Sequence, residues 1–234
     1  MKFLNACFDA LFPDTCILCG QTQAERNAHL LCHFCWAALP RNVNCCRQCA
    51  TPLASPGICG GCQLHPLTQG VCVVPLLHQA EGRYLVHQLK FQNGFRAGRT
   101  LASAMLQGVR LRYAPHQLPE CLVPVPLSYR RQVRRGYNQA AWLTHCLRRQ
   151  LKLPVFYGPI RRRHGPSQQT LAKHARVALA QNTFSLRCPL PFRHVAIVDD
   201  VLTTGTTSRV LSAMLYKSGA TQVDIWCATR ARLH

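Results

Sequence analysis

Apolar residues along this chain fall into two rhythms that mark out strands and helices. Gly70 to Leu77 contains Val-Cys-Val-Val-Pro-Leu-Leu, Cys121 to Leu127 reads Cys-Leu-Val-Pro-Val-Pro-Leu, and Val195 to Val198 is apolar throughout. Short unbroken runs of this kind predict strands buried on both faces, as in a parallel sheet. Between them the spacing changes to three and four. Leu85 and Leu89 open helical segments that continue through Leu-Ala-Ser-Ala-Met-Leu-Gln-Gly-Val, and Trp142, Leu143, Cys146 and Leu147 mark another helix. Val210, Leu211, Met214 and Leu215 predict one more from Ser208 onward, stopped by Gly219, with a last strand at Val223 to Cys227. Strands alternating with helices predict an α/β fold. At the amino end Phe3, Leu4, Cys7, Phe8, Leu11 and Phe12 share one helical face, which predicts a helix packed on its own protein, with a membrane or a partner as the alternative surface for it.

The first 67 residues follow a different pattern. Eight of the fifteen cysteines form four Cys-x-x-Cys pairs: Cys16 with Cys19, Cys32 with Cys35, Cys46 with Cys49, and Cys59 with Cys62. One such turn points two thiolates at one ion, and two turns complete the four-sulfur tetrahedron of structural zinc. Separations of 12, 10 and 9 residues between successive pairs suit neighbouring ribbons or an interleaved arrangement, with neighbouring ribbons expected and one or two zincs bound. Cys45 is a candidate substitute ligand, and His29, His33 and His65 lie among the pairs. Zinc would fold a segment too short for a core of its own, with no part in catalysis. Cys7, Cys72, Cys121, Cys146, Cys188 and Cys227 sit among apolar neighbours and are expected in the core. At 234 residues the chain has room for two domains, a helix and cysteine-rich ribbon at 1–67 and an α/β domain at 68–234.

No apolar stretch approaches the roughly 20 residues of a membrane-spanning helix, and Asp9 and Asp14 argue against a signal peptide. A cytoplasmic location follows as the expectation. The formal charge of +20 changes the picture further, with 28 basic residues against 8 acidic ones. Such an excess implies a polyanionic partner. Among the bases 23 are arginine, which suits forked contacts with phosphate. From Cys121 to Val198 there are 14 Lys and Arg and no acid. Tyr129, Tyr137, Trp142, Phe156 and Tyr157 interleave with these bases, as stacking platforms for single strands do, but most of them are expected in the core.

The cationic stretch ends at the chain's most specific motif. Val195 to Val198 would deliver Asp199 and Asp200 to the carboxyl edge of the sheet, where α/β proteins bind ligands. Thr203, Thr204, Gly205, Thr206 and Thr207 then supply hydroxyls, a tight turn and the N–H groups of a helix start, which together make an anion cradle. The thirteen residues Val195 to Thr207 resemble the 5-phosphoribosyl 1-diphosphate (PRPP) motif of type I phosphoribosyltransferases. That resemblance implies that Asp199 and Asp200 hold the ribose hydroxyls as the catalytic pair, that Thr203 to Thr207 wrap the 5-phosphate, and that magnesium accompanies PRPP. It also implies that the segment with Arg130, Arg131, Arg134, Arg135, Gly136 and Tyr137 holds the diphosphate, and that Pro159 to Phe184, with His164 and His174, is a mobile catalytic hood.

The order of cysteine ribbon, Leu-Lys-Phe at Lys90, Val-Pro-Val-Pro-Leu and Arg-Arg-Gly-Tyr-Asn-Gln-Ala is similar to that of the ComF competence family over nearly the full chain. Gln168, Leu171, Arg176, Asn182 and Phe184 extend the likeness toward the PRPP motif. The resemblance implies a type I phosphoribosyltransferase-like parallel sheet flanked by helices behind a double zinc ribbon. In function it implies a DNA-uptake or DNA-utilisation factor that binds incoming single-stranded DNA beside a PRPP pocket. A helicase and recombination factors are the partners it implies, at the inner face of the membrane. The alternative is a phosphoribosyltransferase that joins PRPP to a base or amine. A PRPP-sensing regulator of duplex DNA is a third reading, for which the sequence offers no helix-turn-helix.

Overall fold

The computed structural model describes residues 15–22, 29–65, 67, 70–92, 94–127, 129–158, 160–162, 184–186 and 188–231, with backbone alone for 129–131, 161 and 162. The amino-terminal helix and most of the hood segment expected from the sequence lie outside these residues.

Strands β1 (Cys72–Val73), β2 (Leu76–Leu77), β3 (Cys121–Pro124), β6 (His194–Leu202) and β7 (Gln222–Arg230) form one five-stranded sheet. All its pairings are parallel, in the order β1-β7-β6-β3 with β2 also on β7. β4 (Arg161–Arg162) and β5 (Phe184–Ser185) make a separate antiparallel pair. The helices are α1 (His33–Ala37), α2 (Gly60–Leu64), α3 (Ala80–Phe91), α4 (Phe95–Arg112), α5 (Tyr129–Arg135), α6 (Gln139–Leu151) and α7 (Thr206–Lys217). The expected parallel α/β sheet and the cysteine ribbon before it are therefore both present.

Three segments differ from the sequence reading, each for a physical reason. The run from Gly70 to Leu77 splits into β1 and β2 around Pro75, which has no N–H to give the ladder. β6 does not stop at Val198 but continues through both aspartates to Leu202, because β7 offers partners that far: Asp199 opposite Cys227 and Leu202 opposite Arg230. Tertiary pairing here outweighs the poor strand propensity of Asp. The basic segment after β3 is the helix α5, built from the good helix formers Arg and Gln and ended by Gly136 at φ +75°.

Side chains alternate across the sheet. Ala196, Val198, Trp226 and Ala228 meet Leu85 and Leu89 of α3, Leu101 and Met105 of α4, and Leu143 and Leu147 of α6. Val195, Ile197 and Val223 meet Leu211 and Leu215 of α7 on the other face. The ribbons straddle the open edge between these layers. Cys16, Leu31 and Leu39 join the first core, whereas Cys46, Cys49, Ala50 and Cys62 join a third with Ile225 and Cys227. Between the ribbons, Arg41 pairs antiparallel with Leu76, Leu77 N–H donates to Pro40 O at 2.8 Å, and Asn42 N–H donates to Pro75 O at 2.8 Å. This segment covers the sheet edge that would otherwise present unpaired backbone groups.

The start of α3 is pressed onto the end of β2, where a Cβ on Gly82 would lie 2.3 Å from Leu77 O. Backbone cannot yield as a side chain would. Gly82→Ala is expected to lower stability by about 1–3 kcal/mol, read as a lower midpoint of urea unfolding at unchanged slope.

Candidate ligand pocket and metal centres

The eight paired cysteines assemble into two sets, Cys16, Cys19, Cys32 and Cys35, and Cys46, Cys49, Cys59 and Cys62, with the sulfurs of each set within 4.8 Å of one another. The ribbons are thus neighbouring rather than interleaved. Sγ atoms of Cys19 and Cys32 lie 3.8 Å apart and those of Cys49 and Cys59 3.6 Å apart. A tetrahedron with metal–sulfur bonds of about 2.3 Å has edges of about 3.8 Å. Burial pushes Cys16 and Cys46 up, but amides of the turns outweigh it and bring them to about 6 and about 7. Burial and neighbouring sulfurs push Cys35 and Cys62 well up. Four crowded sulfurs cannot all ionise without a cation among them, so the donor set suits structural zinc. Cys45 and the histidines fall outside both sets; the His29 ring instead stacks on Trp36 at 4.0 Å.

β6 carries Asp199 and Asp200 to a cavity of about 300 Å³ lined also by His78, Lys90, Arg135, Asn138, Gln139, Thr203 and Thr207. Asp200 N–H donates to Asp199 Oδ1 at 2.9 Å, and the Asp200 carboxylate pairs with Lys90 Nζ at 2.8 Å. Thr229 Oγ1 donates to Asp200 O at 3.3 Å and lies 3.0 Å from His78 Nδ1. Burial, and then the charge of Asp200, push the Asp199 carboxyl up to about 8. Near neutral pH Asp199 is consequently a protonated donor, and the pair carries about one negative charge that Lys90 balances. A cavity so compensated can accept an anion beside two aspartates.

The cradle follows directly. Gly205 takes φ +75°, and a Cβ there would lie 2.5 Å from Leu67 Cδ1. α7 then starts at Thr206, aiming first-turn N–H groups outward. Thr203, Thr204 and Thr206 are exposed, and the Thr204 and Thr206 hydroxyls lie 2.9 Å apart. Arg130 and Arg131 fall on α5, where backbone alone is described. The arginine that this segment brings to the cavity is Arg135, which donates to Gln139 Oε1 at 3.0 Å.

A second feature adjoins the cavity. Tyr84, His87 and Phe91 stand exposed along one face of α3, with the His87 and Phe91 rings 5.0 Å apart and the Arg135 guanidinium 5.3 Å from the Phe91 ring centre. Lys90, Phe91, Arg134 and Arg135 enclose a cleft of about 410 Å³. Phe95 extends the row toward Tyr137 at 5.2 Å and Trp142 at 4.5 Å. Of the aromatics that interleave with the basic residues, Tyr137 and Trp142 pack partly on the core and Phe156 on the other core, as expected for most of them, and Tyr157 is exposed.

A family model described as "Double zinc ribbon domain" matches residues 7–63. Competence protein F of Haemophilus influenzae is 36% identical over 94% of this chain and 98% of its own length. The chain belongs to the competence protein F family. DNA utilization protein YhgH of Salmonella typhimurium is 35% identical over 93% of this chain and 97% of its own. A purine phosphoribosyltransferase structure from Pyrococcus horikoshii overlaps 54% of this chain and 68% of its own, with a TM-score of 0.33 and 19% identity.

The sequence pointed to the Asp pair and threonine loop of this family member, and to Lys90 only as part of the Leu-Lys-Phe likeness with no role in the pocket, but not to His78. Lys90 carried a signal, a cation set between the apolar Leu89 and Phe91 of an amphipathic helix whose other cation is Arg83. His78 carried none, since it enters only through the pairing of β2 with β7.

Metal analysis of the purified protein is expected to give two zincs per chain, and Cys62→Ser about one. The Asp199 proton gives a pH test. The folded state holds it to about pH 8 while the unfolded chain loses it near 3.8, so the folded state binds more protons between these values and stability falls as pH rises through that window. Asp199→Asn keeps the acceptor for Asp200 N–H and removes the titration. Its thermal midpoint should exceed the parent's by a margin that widens from pH 5 to pH 8.

Proposed function

We propose that this protein acts in DNA uptake or DNA utilisation, gripping single-stranded DNA on the aromatic and arginine face of α3 and α5 while the adjoining pocket takes PRPP or a related ribose phosphate. The names of full-length relatives support the role. One observation carries the mechanism: the cleft of Lys90, Phe91, Arg134 and Arg135 shares Lys90 and Arg135 with the Asp199 and Asp200 cavity. A strand stacked on Phe91 and Tyr84 would therefore have its sugar-phosphate beside the pocket. Stacking on such rings is tolerant of base identity, and the surrounding arginines neutralise phosphates.

In the pocket, Asp199 and Asp200 would hold ribose hydroxyls, the Thr203 to Thr207 cradle the 5-phosphate, and Arg135, with Arg130 and Arg131 on the same helix, the diphosphate. Asp200, and Asp199 once its proton is lost, are the oxygen donors that would hold magnesium, which supplies charge neutralisation at the diphosphate. Residues 1–67 serve as the metal-held clasp, each cysteine set holding one zinc, and 68–234 as the ligand-binding body. A helicase and recombination factors acting on the same strand would be the partners, on the cytoplasmic side of the membrane. Among the described residues no helix is long and apolar enough to cross a membrane.

The Asp199 and Asp200 pair favours a second reading, a phosphoribosyltransferase in which Asp200, and Asp199 once its proton is lost, stabilise positive charge on the ribose as diphosphate leaves. Pyrophosphate release with a nucleobase or amine would establish it.

The primary test is binding to unrelated single-stranded oligonucleotides across a salt series, with and without magnesium and PRPP. Affinity should fall with a log-log slope of about −0.7 per phosphate neutralised. Phe91→Ala should weaken binding by about 1–3 kcal/mol, without changing zinc content. Binding that ignores salt or is unaffected by Phe91→Ala would overturn the proposed DNA face.

A further inference from the structure

Arg230 closes β7 with only 4% of its surface exposed. A buried guanidinium needs acceptors for its fixed fork of donors, and this one finds them in two parts of the chain remote in sequence. Its Nε donates to Cys49 O at 2.9 Å and its Nη2 to Thr51 Oγ1 at 2.9 Å, both in the second ribbon. Its Nη1 donates to Leu202 O at 2.9 Å, to Thr203 O and to Ala231 O at 2.8 Å. Cys49 belongs to the second cysteine set, and Thr203 opens the cradle.

Two further contacts tie the same parts together. Thr51 Oγ1 lies 3.1 Å from Cys49 Sγ. A metal-bound sulfur is an acceptor, so the Thr51 hydroxyl would turn its hydrogen to the sulfur and keep its lone pairs for Arg230. Leu67, buried just beyond the second ribbon, fills the space against Gly205. The first ribbon docks elsewhere: Thr100 Oγ1 of α4 donates to His29 O at 2.5 Å, and Arg96 of α4 donates to Thr15 O at 2.7 Å.

We propose that Arg230 couples the second zinc set to the anion cradle, so that the order of Thr203 to Thr207, and with it affinity for a ribose phosphate, depends on metal in the Cys46, Cys49, Cys59 and Cys62 set and not in the Cys16 set. Arg230 is a positioning residue in this scheme, touching the loop backbone rather than the ligand. The part that concerns affinity rests on the pocket reading above.

Three readouts on the full chain test it: hydrogen exchange of 203–207 without ligand, calorimetric titration with PRPP, and zinc content. Thr51→Val spares every cysteine and Arg230→Lys spares the charge. Both should keep two zincs, exchange faster at 203–207 and bind PRPP about tenfold more weakly. Cys59→Ser should lose one zinc and match them, whereas Cys19→Ser should lose one zinc and leave the loop and the affinity unchanged. Unaltered exchange in Thr51→Val and Arg230→Lys, or faster exchange in Cys19→Ser equal to that in Cys59→Ser, would overturn the coupling. If the parent protein fails to bind PRPP, the pocket reading falls, and the exchange comparison still decides whether Arg230 links the second ribbon to the loop.

Discussion

The register between β6 and β7 sets the position of every group discussed above. With Asp199 opposite Cys227 and Leu202 opposite Arg230, one strand brings the acidic pair to the cavity while its neighbour brings a guanidinium beneath the loop that follows. A slip of one residue by β6 would turn that strand over and exchange the faces of the two aspartates, and a slip by β7 would take Arg230 out of reach of Thr203. The register is secured by burial. Val195, Ala196, Ile197 and Val198 on β6, and Val223 and Ile225 to Ala228 on β7, are wholly buried and meet different layers on each face.

Electrostatics in the pocket follow from that placement. Two carboxylates in a half-enclosed space cannot both ionise cheaply: burial and the neighbouring charge push the Asp199 carboxyl up to about 8, and Lys90 pairs with Asp200. The surrounding surface is strongly cationic, so the acids act as a local counterweight in a field that otherwise favours polyphosphate. The aromatic row on α3 adds a term that does not depend on charge, which is what a base, rather than a phosphate, requires.

Much of this was legible in the chain. Unbroken apolar runs marked the parallel strands, and the Cys-x-x-Cys spacing marked the eight cysteines that the structure gathers into two sets, because a knuckle is a local structure whose chemistry lies within four residues. What was hidden is what depends on pairing between distant segments. The aspartates looked like the end of a strand since their partners, Cys227 to Arg230, lie beyond a whole helix. Lys90 and His78 reach the pocket only when α3 and β2 dock on the sheet. Tyr84 and Phe91 read as members of an amphipathic helix, and nothing in their spacing says that their face is left uncovered.

The clasp over the sheet edge also imposes an order of assembly. The second ribbon finds its acceptor of side chains on β7, and 181 residues separate Cys49 from the Arg230 that grips it. During synthesis the cysteine segment emerges long before that strand, free to take metal but with no surface on which to settle. Its apolar side must wait, exposed, while α3, α4 and α6 are made, and contacts of such long sequence separation form slowly. Metal capture has no need of β7, whereas the docking that gives it structural consequence must wait for that strand.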